Sequence, residues 1–207
     1  MPLKVINPEG ETVSIHSYLD FEKVFGIGYL PAISFKDKKT QDKIEKLCSK
    51  MDHKKSISTR QKWLGQFYAP AIRGAIYLDL TIAWIDERIG YGVWTNVDIP
   101  AHAYIGEYTG VLRRRLFFGR WKNRYCFDYN VGEGRKSGYV IDAQDHGNYT
   151  RFINHSFQPN LEPAAVYCDG VIHIIICAIK PIPAGTQLCY DYGEDYWRKR
   201  VKPEKLL

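Results

Sequence analysis

The sequence predicts a mostly β protein with some α: small curved sheets behind a partly helical N-terminal extension. Three observations carry that expectation. From Ala75 onward apolar residues alternate in short runs bounded by glycine and proline, the signature of short strands. Over about Lys39–His53 the period is helical, with Ile44, Leu47, Cys48 and Met51 at i, i+3, i+4 and i+7. Ser58-Thr-Arg-Gln61 is a capping-box pattern that opens a second helix, striped by Trp63, Leu64, Phe67 and Tyr68.

Taken in order, residues 1–35 read as irregular to weakly extended, with a turn at Pro8-Glu9-Gly10. His53 falls at the break between the two helices, the place of a solvated or capping residue, and Pro70 is expected to end the second helix. Strands are expected over Ala75–Thr81, Gly92–Val97, Tyr104–Tyr108, Arg124–Asn130, Tyr139–Asp142, Leu161–Tyr167, Val171–Ile179 and Gln187–Tyr190. Asp169-Gly170 turns a tight hairpin between two of them, and Ile99-Pro-Ala and Ile182-Pro-Ala read as matching turns that each launch a strand. The expected organisation is an extension over 1–80, a catalytic domain over 81–197 and a basic tail over 198–207.

The chain has 207 residues, 45% apolar and 25% charged, enough to bury a core without staples. Its longest purely apolar run, Ile174–Ile179, is far too short to span a bilayer, and no secretory signal opens it, so a soluble protein with no membrane partner is expected. Five cysteines with no C-x-x-C pair argue for reduced thiols in a reducing compartment and against a zinc cluster. The net charge of +6 is unevenly spread. Lys36–Arg73 holds eleven Lys/Arg against four Asp/Glu, Arg113–Arg124 six against none, and Arg198–Lys205 five against one, which leaves the remainder strongly acidic. That pattern fits an acidic cleft for a cationic peptide between basic flanks, or else simply solvated faces.

Residues 147–160 read G-N-Y-T-R-F-I-N-H-S-F-Q-P-N, in which the turn formers Asn154, His155, Ser156, Pro159 and Asn160 are pinned by apolar Phe152, Ile153 and Phe157. This is the look of a buried binding loop or of a satisfied structural one. Downstream stands Leu188-Cys-Tyr190-Asp-Tyr192-Gly193; upstream a third piece runs Gly90-Tyr91-Gly92-Val-Trp94, then Asp98-Ile-Pro-Ala101 and Gly106-Glu-Tyr-Thr-Gly110. In this order, over about half the chain, the three motifs resemble those of SET-domain protein lysine methyltransferases. A Gly-x-Gly with no helix start behind it does not make a dinucleotide site.

The resemblance implies the SET fold, with a knot-like crossing of the N-H-S stretch and the final segment. It implies transfer of a methyl group from S-adenosylmethionine to a lysine ε-amine of a histone or histone-like protein, leaving S-adenosylhomocysteine. Tyr192 matches the family's catalytic tyrosine and Tyr125 its lysine-channel tyrosine. Tyr190 occupies the position where the family has Phe or Tyr, and a hydroxyl there favours mono- and dimethylation. Asn154, His155, Tyr91 and Gly92 match cofactor-holding positions, with Tyr149 and Arg151 as weaker candidates beside them. No metal is expected, since no Cys, His or carboxylate stands at ligand spacing around His155. The chain lacks the family's cysteine-rich flanking segments, so Tyr196-Trp197 is the aromatic candidate to close the channel; Trp197 also counts among the cofactor-binding candidates, with core packing as its alternative role. In that respect it is similar to small stand-alone SET proteins of the chlamydial effector type, which implies delivery to a host nucleus. The contrasting reading is a non-catalytic SET module that binds basic tails, DNA or nucleosomes; with either reading, the basic stretches 36–73 and 113–124 are the candidate DNA or nucleosome contact.

Overall fold

The computed structural model describes residues 3–74, 78–115, 123–132, 137–198 and 200. Strands β1 (Leu3–Ile6) and β2 (Thr12–Ile15) form a hairpin whose turn uses Gly10 at φ 81°. Helix α1 (Tyr18–Phe25) is capped reciprocally, Asp20 N donating to Ser17 Oγ (3.1 Å) and Ser17 N to Asp20 Oδ2 (2.9 Å), and Gly26 at φ 67° stops it. Strands β3 (Gly28–Tyr29) and β4 (Ser34–Phe35) lead to α2 (Lys38–His53) and α3 (Thr59–Gly74). Residues 3–35 thus hold four short strands and a helix where the sequence reads as irregular to weakly extended. Their cap uses Asp at the third helical position, and their strands are held by distant partners with no local signature.

The remaining strands are β5 (Leu80–Asp86), β6 (Gly90–Thr95), β7 (Tyr104–Glu107), β8 (Val111–Arg114), β9 (Cys126–Tyr129) and β10 (Tyr139–Asp142). After β11 (His146–Gly147) comes a 3₁₀ turn, Tyr149–Phe152, then β12 (Asn154–His155), β13 (Leu161–Cys168), β14 (Val171–Ala178) and β15 (Gln187–Tyr190). A single helical turn, α4 (Glu194–Trp197), ends the described chain. The expected strand from Ala75 starts instead at Leu80, residues 75–77 lying outside the described ones, and runs on to Asp86, whose Oδ1 accepts from Arg88 N and Ile89 N to turn the chain. The β13–β14 hairpin turns on Asp169 (φ 48°) and Gly170 (φ 83°), as the sequence predicts. Ile99 and Ile182 bond each other reciprocally at 2.8 Å, so the two Ile-Pro turns meet.

Among the described residues the largest sheet runs β2-β1-β5-β6-β15-β13-β14-β7, with β12 beside β15; β4-β8-β10-β9 form a second and β11-β3 a third. The N-terminal residues thus build into all three. β1 lies parallel to β5, β4 parallel to β8 and β3 parallel to β11. The core is a continuous apolar cluster from Leu3 and Phe21 through Ile44, Ile82 and Leu112 to Leu188.

Two helices cover β13 and β14. α2 sends Ile44 and Cys48 inward, where Cys48 Sγ lies 3.9 Å from Tyr129 Oη and Tyr129 Oη accepts from Ile172 N (3.0 Å). α3 begins with the expected box, Gln61 N donating to Ser58 Oγ (3.2 Å) and Ser58 N to Gln61 Oε1 (3.0 Å). It does not stop at Pro70. The proline is exposed, so its missing N–H falls on the solvent side, while buried Tyr68, Ala69 and Ala71 hold the helix down on both sides of it. No helix among the described residues is long and apolar enough to cross a membrane.

Candidate functional site

The site is where the N-H-S stretch and the last strand lie side by side. Asn154 and His155 of β12 pair in parallel with Cys189 and Tyr190 of β15. Ser156 N then donates to Tyr190 O (3.1 Å), Tyr192 N to His155 Nδ1 (3.1 Å) and Tyr192 Oη to Ile153 O (2.8 Å). Asn160 completes the lock, its Nδ2 donating to Gln187 O (2.7 Å) and its Oδ1 accepting from Cys189 N (2.9 Å). Each motif thus satisfies the other's backbone, which a loop this deeply buried requires. Because Nδ1 of His155 accepts, the proton of the neutral ring sits on Nε2.

Around Tyr192 stands an aromatic wall. Its ring centroid is 4.9 Å from Tyr190, 4.7 Å from Tyr196, 5.5 Å from His155 and 6.2 Å from Trp197, the last nearly parallel. Trp197 also meets His155 edge-on at 4.9 Å. Burial pushes the phenols of Tyr192, Tyr190 and Tyr108 well above the ordinary value of 10, so all three are neutral hydrogen-bonding groups. Tyr190 lies close enough to Tyr108, and Tyr125 to Tyr196, to add to the rise of the Tyr108 and Tyr196 phenols, which burial causes first.

Tyr125 is positioned by a hub at Asn123. Asn123 Oδ1 accepts from Tyr125 N (2.9 Å), its Nδ2 donates to Asp142 (2.8 Å), and its carbonyl accepts from Arg200 Nη2 (2.9 Å). Burial raises the Asp142 carboxyl, but hydrogen bonds from Asn123 and Arg113 more than offset it and hold the group below 3.8, ionised. Arg151 lays its guanidinium 3.7 Å over the Tyr125 ring while its Nε donates to Ala143 O (2.8 Å). Arg200 also stacks 4.1 Å over Tyr196 and donates to Tyr196 O (2.8 Å), so one side chain ties the C-terminal turn to the Tyr125 strand. No signal in the sequence marks Arg200 or Asn123 for this place, and Tyr108 enters there only as part of the Gly106–Gly110 motif.

On the other side of His155, Ile85, Ile89, Asn154, His155, Gln187 and Cys189 line a narrow crevice. It adjoins a wider groove of about 390 Å³ that shares Ser156, Gln187 and Cys189. A Cβ on Gly92 would come within 2.7 Å of Gln187 Nε2 and 2.9 Å of Ile85 Cδ1, so the bare backbone there is what lets those two crevice residues pack. Asn154 is oriented by its Nδ2 bond to Tyr91 O (3.1 Å), which leaves its amide oxygen to accept. The indole Nε1 of Trp197 is buried with no partner among the described residues. The Asn154 amide oxygen and the Trp197 N–H beside an aromatic wall suit a polar, partly aromatic cofactor such as S-adenosylmethionine.

Two of the expected cofactor residues stand apart from that crevice. Tyr149 is 3% exposed and its hydroxyl donates to Ile105 O (2.6 Å), beside Gly106, which places it in the core. Arg151 stands at Tyr125, on the channel side. The ring of Tyr91 packs against Phe25, Trp84 and Phe152 at 5.2 to 5.7 Å, leaving its backbone carbonyl as the part that reaches Asn154. Of the basic stretch 113–124, only 113–115, 123 and 124 are described. Arg113 pairs with Asp142 (2.5 Å) and Arg115 with Asp128, so these two charges serve the fold.

The SET domain family model matches residues 90–193, half of the chain. The sequence is 37% identical over 121 residues to the mouse histone-lysine N-methyltransferase EHMT1, covering 56% of this chain and 9% of that protein. It is 32% identical over 122 residues to human histone-lysine N-methyltransferase SETD2, covering 57% of this chain and 5% of that protein. The fold matches a solved structure of ctPRC2 bound to S-adenosylmethionine with a TM-score of 0.53 at 27% identity, over 62% of this chain and 17% of that one. The chain therefore spans a small fraction of these relatives' length, and with the SET model matched over half of it, this protein belongs to the SET-domain family and has its mostly β fold.

Proposed function

We propose that the chain is a protein lysine N-methyltransferase that uses S-adenosylmethionine, with residues 81–197 as its catalytic part and a histone or histone-like protein as its substrate. One observation carries this reading furthest: Tyr192 joins the two motifs through both its backbone N–H and its hydroxyl, inside a wall of neutral phenols. The relatives' names, histone-lysine methyltransferases, support the substrate class. Asn154 and His155, which line the crevice, would hold the cofactor together with the neighbouring Tyr91-Gly92 backbone and the Trp197 indole of the aromatic wall; when bound it supplies an electrophilic methyl group.

The chain's own work is to present the amine. A lysine of pKa about 10.4 is deprotonated in only about one molecule in a thousand near pH 7.4, a deficit of about 4 kcal/mol. A channel walled by Tyr125, Tyr190, Tyr192, Tyr196 and Trp197 excludes water and so disfavours carrying the ammonium's hydration shell inward. With its proton committed to Ile153 O, the Tyr192 hydroxyl offers its oxygen lone pairs, which accept an amine N–H and leave the nitrogen lone pair free. Aligning that lone pair is worth several kcal/mol, because orientation is settled before reaction. Tyr125, held by Arg151 and Asn123, provides the second hydroxyl, and the ring faces tolerate the cation that results.

Tyr190, 6% exposed, sets product order. Its hydroxyl holds water in the space that further methyl groups need, so mono- and dimethyl lysine are the expected products. Tyr190→Phe should shift the product of a histone peptide toward trimethyl lysine, read by mass spectrometry. Abundant trimethyl product from the parent, with no change in the variant, would remove Tyr190 from this role. The function itself is tested by transfer of labelled methyl groups to core histones.

A further inference from the structure

The outward face of α2 carries one kind of residue. Lys39, Lys43, Lys46, Lys50 and Lys54 stand at i, i+4, i+7, i+11 and i+15, the last as the helix C-cap, and all five are exposed. At 3.6 residues per turn they fall within an arc of about 80° and extend about 22 Å along the axis. The core side of the helix, Ile44 and Cys48, lies across from them.

The acids of this helix do not neutralise the stripe. Asp42 pairs with Lys38 (3.0 Å), Glu45 accepts from Gln41 Nε2 (2.8 Å), and Asp52 pairs with Lys62 of α3. None of the five stripe lysines has an ion-pair partner among the described residues. Like charges at i, i+4 destabilise a helix, and a glutamate at every second position would have relieved this one. The helix is nevertheless firmly seated, by the Asp37 cap (Oδ1 accepting from Thr40 N, 2.7 Å) and by Cys48 against Tyr129. A one-sided row of lysines with no ion-pair partner among the described residues suits a regular polyanion.

We propose that this face of α2 docks duplex DNA through its phosphates, without reading sequence. Two features favour DNA over an acidic protein. Protein interfaces are depleted in lysine and centred on aromatic or apolar anchors, and the stripe contains none. Duplex DNA offers one charge per about 1.7 Å of axis, so a 22 Å row meets phosphates along its whole length. Single strands are held partly by base stacking on aromatic rings, which this face also lacks. The surface lies apart from the tyrosine wall, and its binding does not depend on the methyltransferase reading.

The test is fluorescence anisotropy of a labelled 24-base-pair duplex of arbitrary sequence with the full chain, from 50 to 200 mM salt. Five phosphate contacts predict a log–log salt slope of about −4.5, a weakening of about 500-fold over that range. Replacing all five lysines with glutamine should bring the slope close to zero, with helical circular dichroism kept. Lys46→Gln alone should reduce its magnitude by about 1. An unchanged slope in both variants would overturn the proposal by moving the contact to other basic residues. So would a parent chain that ignores the duplex at 50 mM salt but binds polyglutamate, which would point to an acidic protein.

Discussion

Tyr192→Phe is expected to lower kcat for methyl transfer by about 10²–10³-fold, the loss typical of removing one positioned hydrogen-bonding group from a reacting centre. The substitution deletes one oxygen and leaves the ring among Tyr190, Tyr196 and Trp197. The backbone bond from Tyr192 N to His155 Nδ1 is untouched, so the crevice side of the site keeps its shape. Cofactor affinity, measured by calorimetry, should therefore stay within about threefold while turnover collapses. The Ile153 carbonyl loses its donor, which costs about 1–3 kcal/mol of stability and will show as a lower Tm without unfolding the chain at room temperature. A variant with near-parental kcat would show that the hydroxyl belongs to packing alone.

The largest stability effect should come from a position far from the chemistry. Gly65 of α3 lies so close to β13 that a Cβ would stand 1.9 Å from Tyr167 O and 2.6 Å from its carbonyl carbon. Both are backbone atoms and cannot rotate away. On a free helix surface Gly→Ala stabilises by about 1 kcal/mol, so the sign of the effect is diagnostic. Here Gly65→Ala must lift the helix or push the strand, a cost of about 3 kcal/mol at the upper end of ordinary overpacking. For a chain of this size that lowers Tm by about 6–12 °C in a thermal melt. A Tm equal to or above the parent's would mean that α3 does not seat on β13 as described.

What could be read from the sequence was what depends on local pattern. Tyr139–Asp142 and Gln187–Tyr190 have their observed strand bounds in the sequence because alternation and flanking turn residues are local signals. The Ser58–Gln61 box and the Asp169-Gly170 hairpin were legible for the same reason. Parallel pairing of β1 with β5 was not, since its partners lie nearly eighty residues apart and neither strand announces the other. Pro70 misled because proline breaks a helix only where its lost bond or its ring is costly, and the solvent side of α3 bears both.

The candidate site divides in the same way. Motif matching placed Tyr192, Tyr190, Asn154 and His155 side by side, and the β12–β15 pairing brings them together. Nearness in sequence did not carry direction. In a 3₁₀ turn successive side chains point about 120° apart, so Tyr149 and Arg151 leave Asn154 for the core and for Tyr125. Arg200 was invisible because it acts across 77 residues, on the carbonyl of Asn123.

The decisive measurement is to incubate the chain with core histones and methyl-labelled S-adenosylmethionine and to locate the label by peptide mass spectrometry. Label is expected on a lysine ε-amine of a histone, and is expected to be lost in Tyr192→Phe. Cofactor that binds measurably while no histone lysine or other basic protein takes label would contradict the methyltransferase reading, and would make the chain a SET-fold binding module.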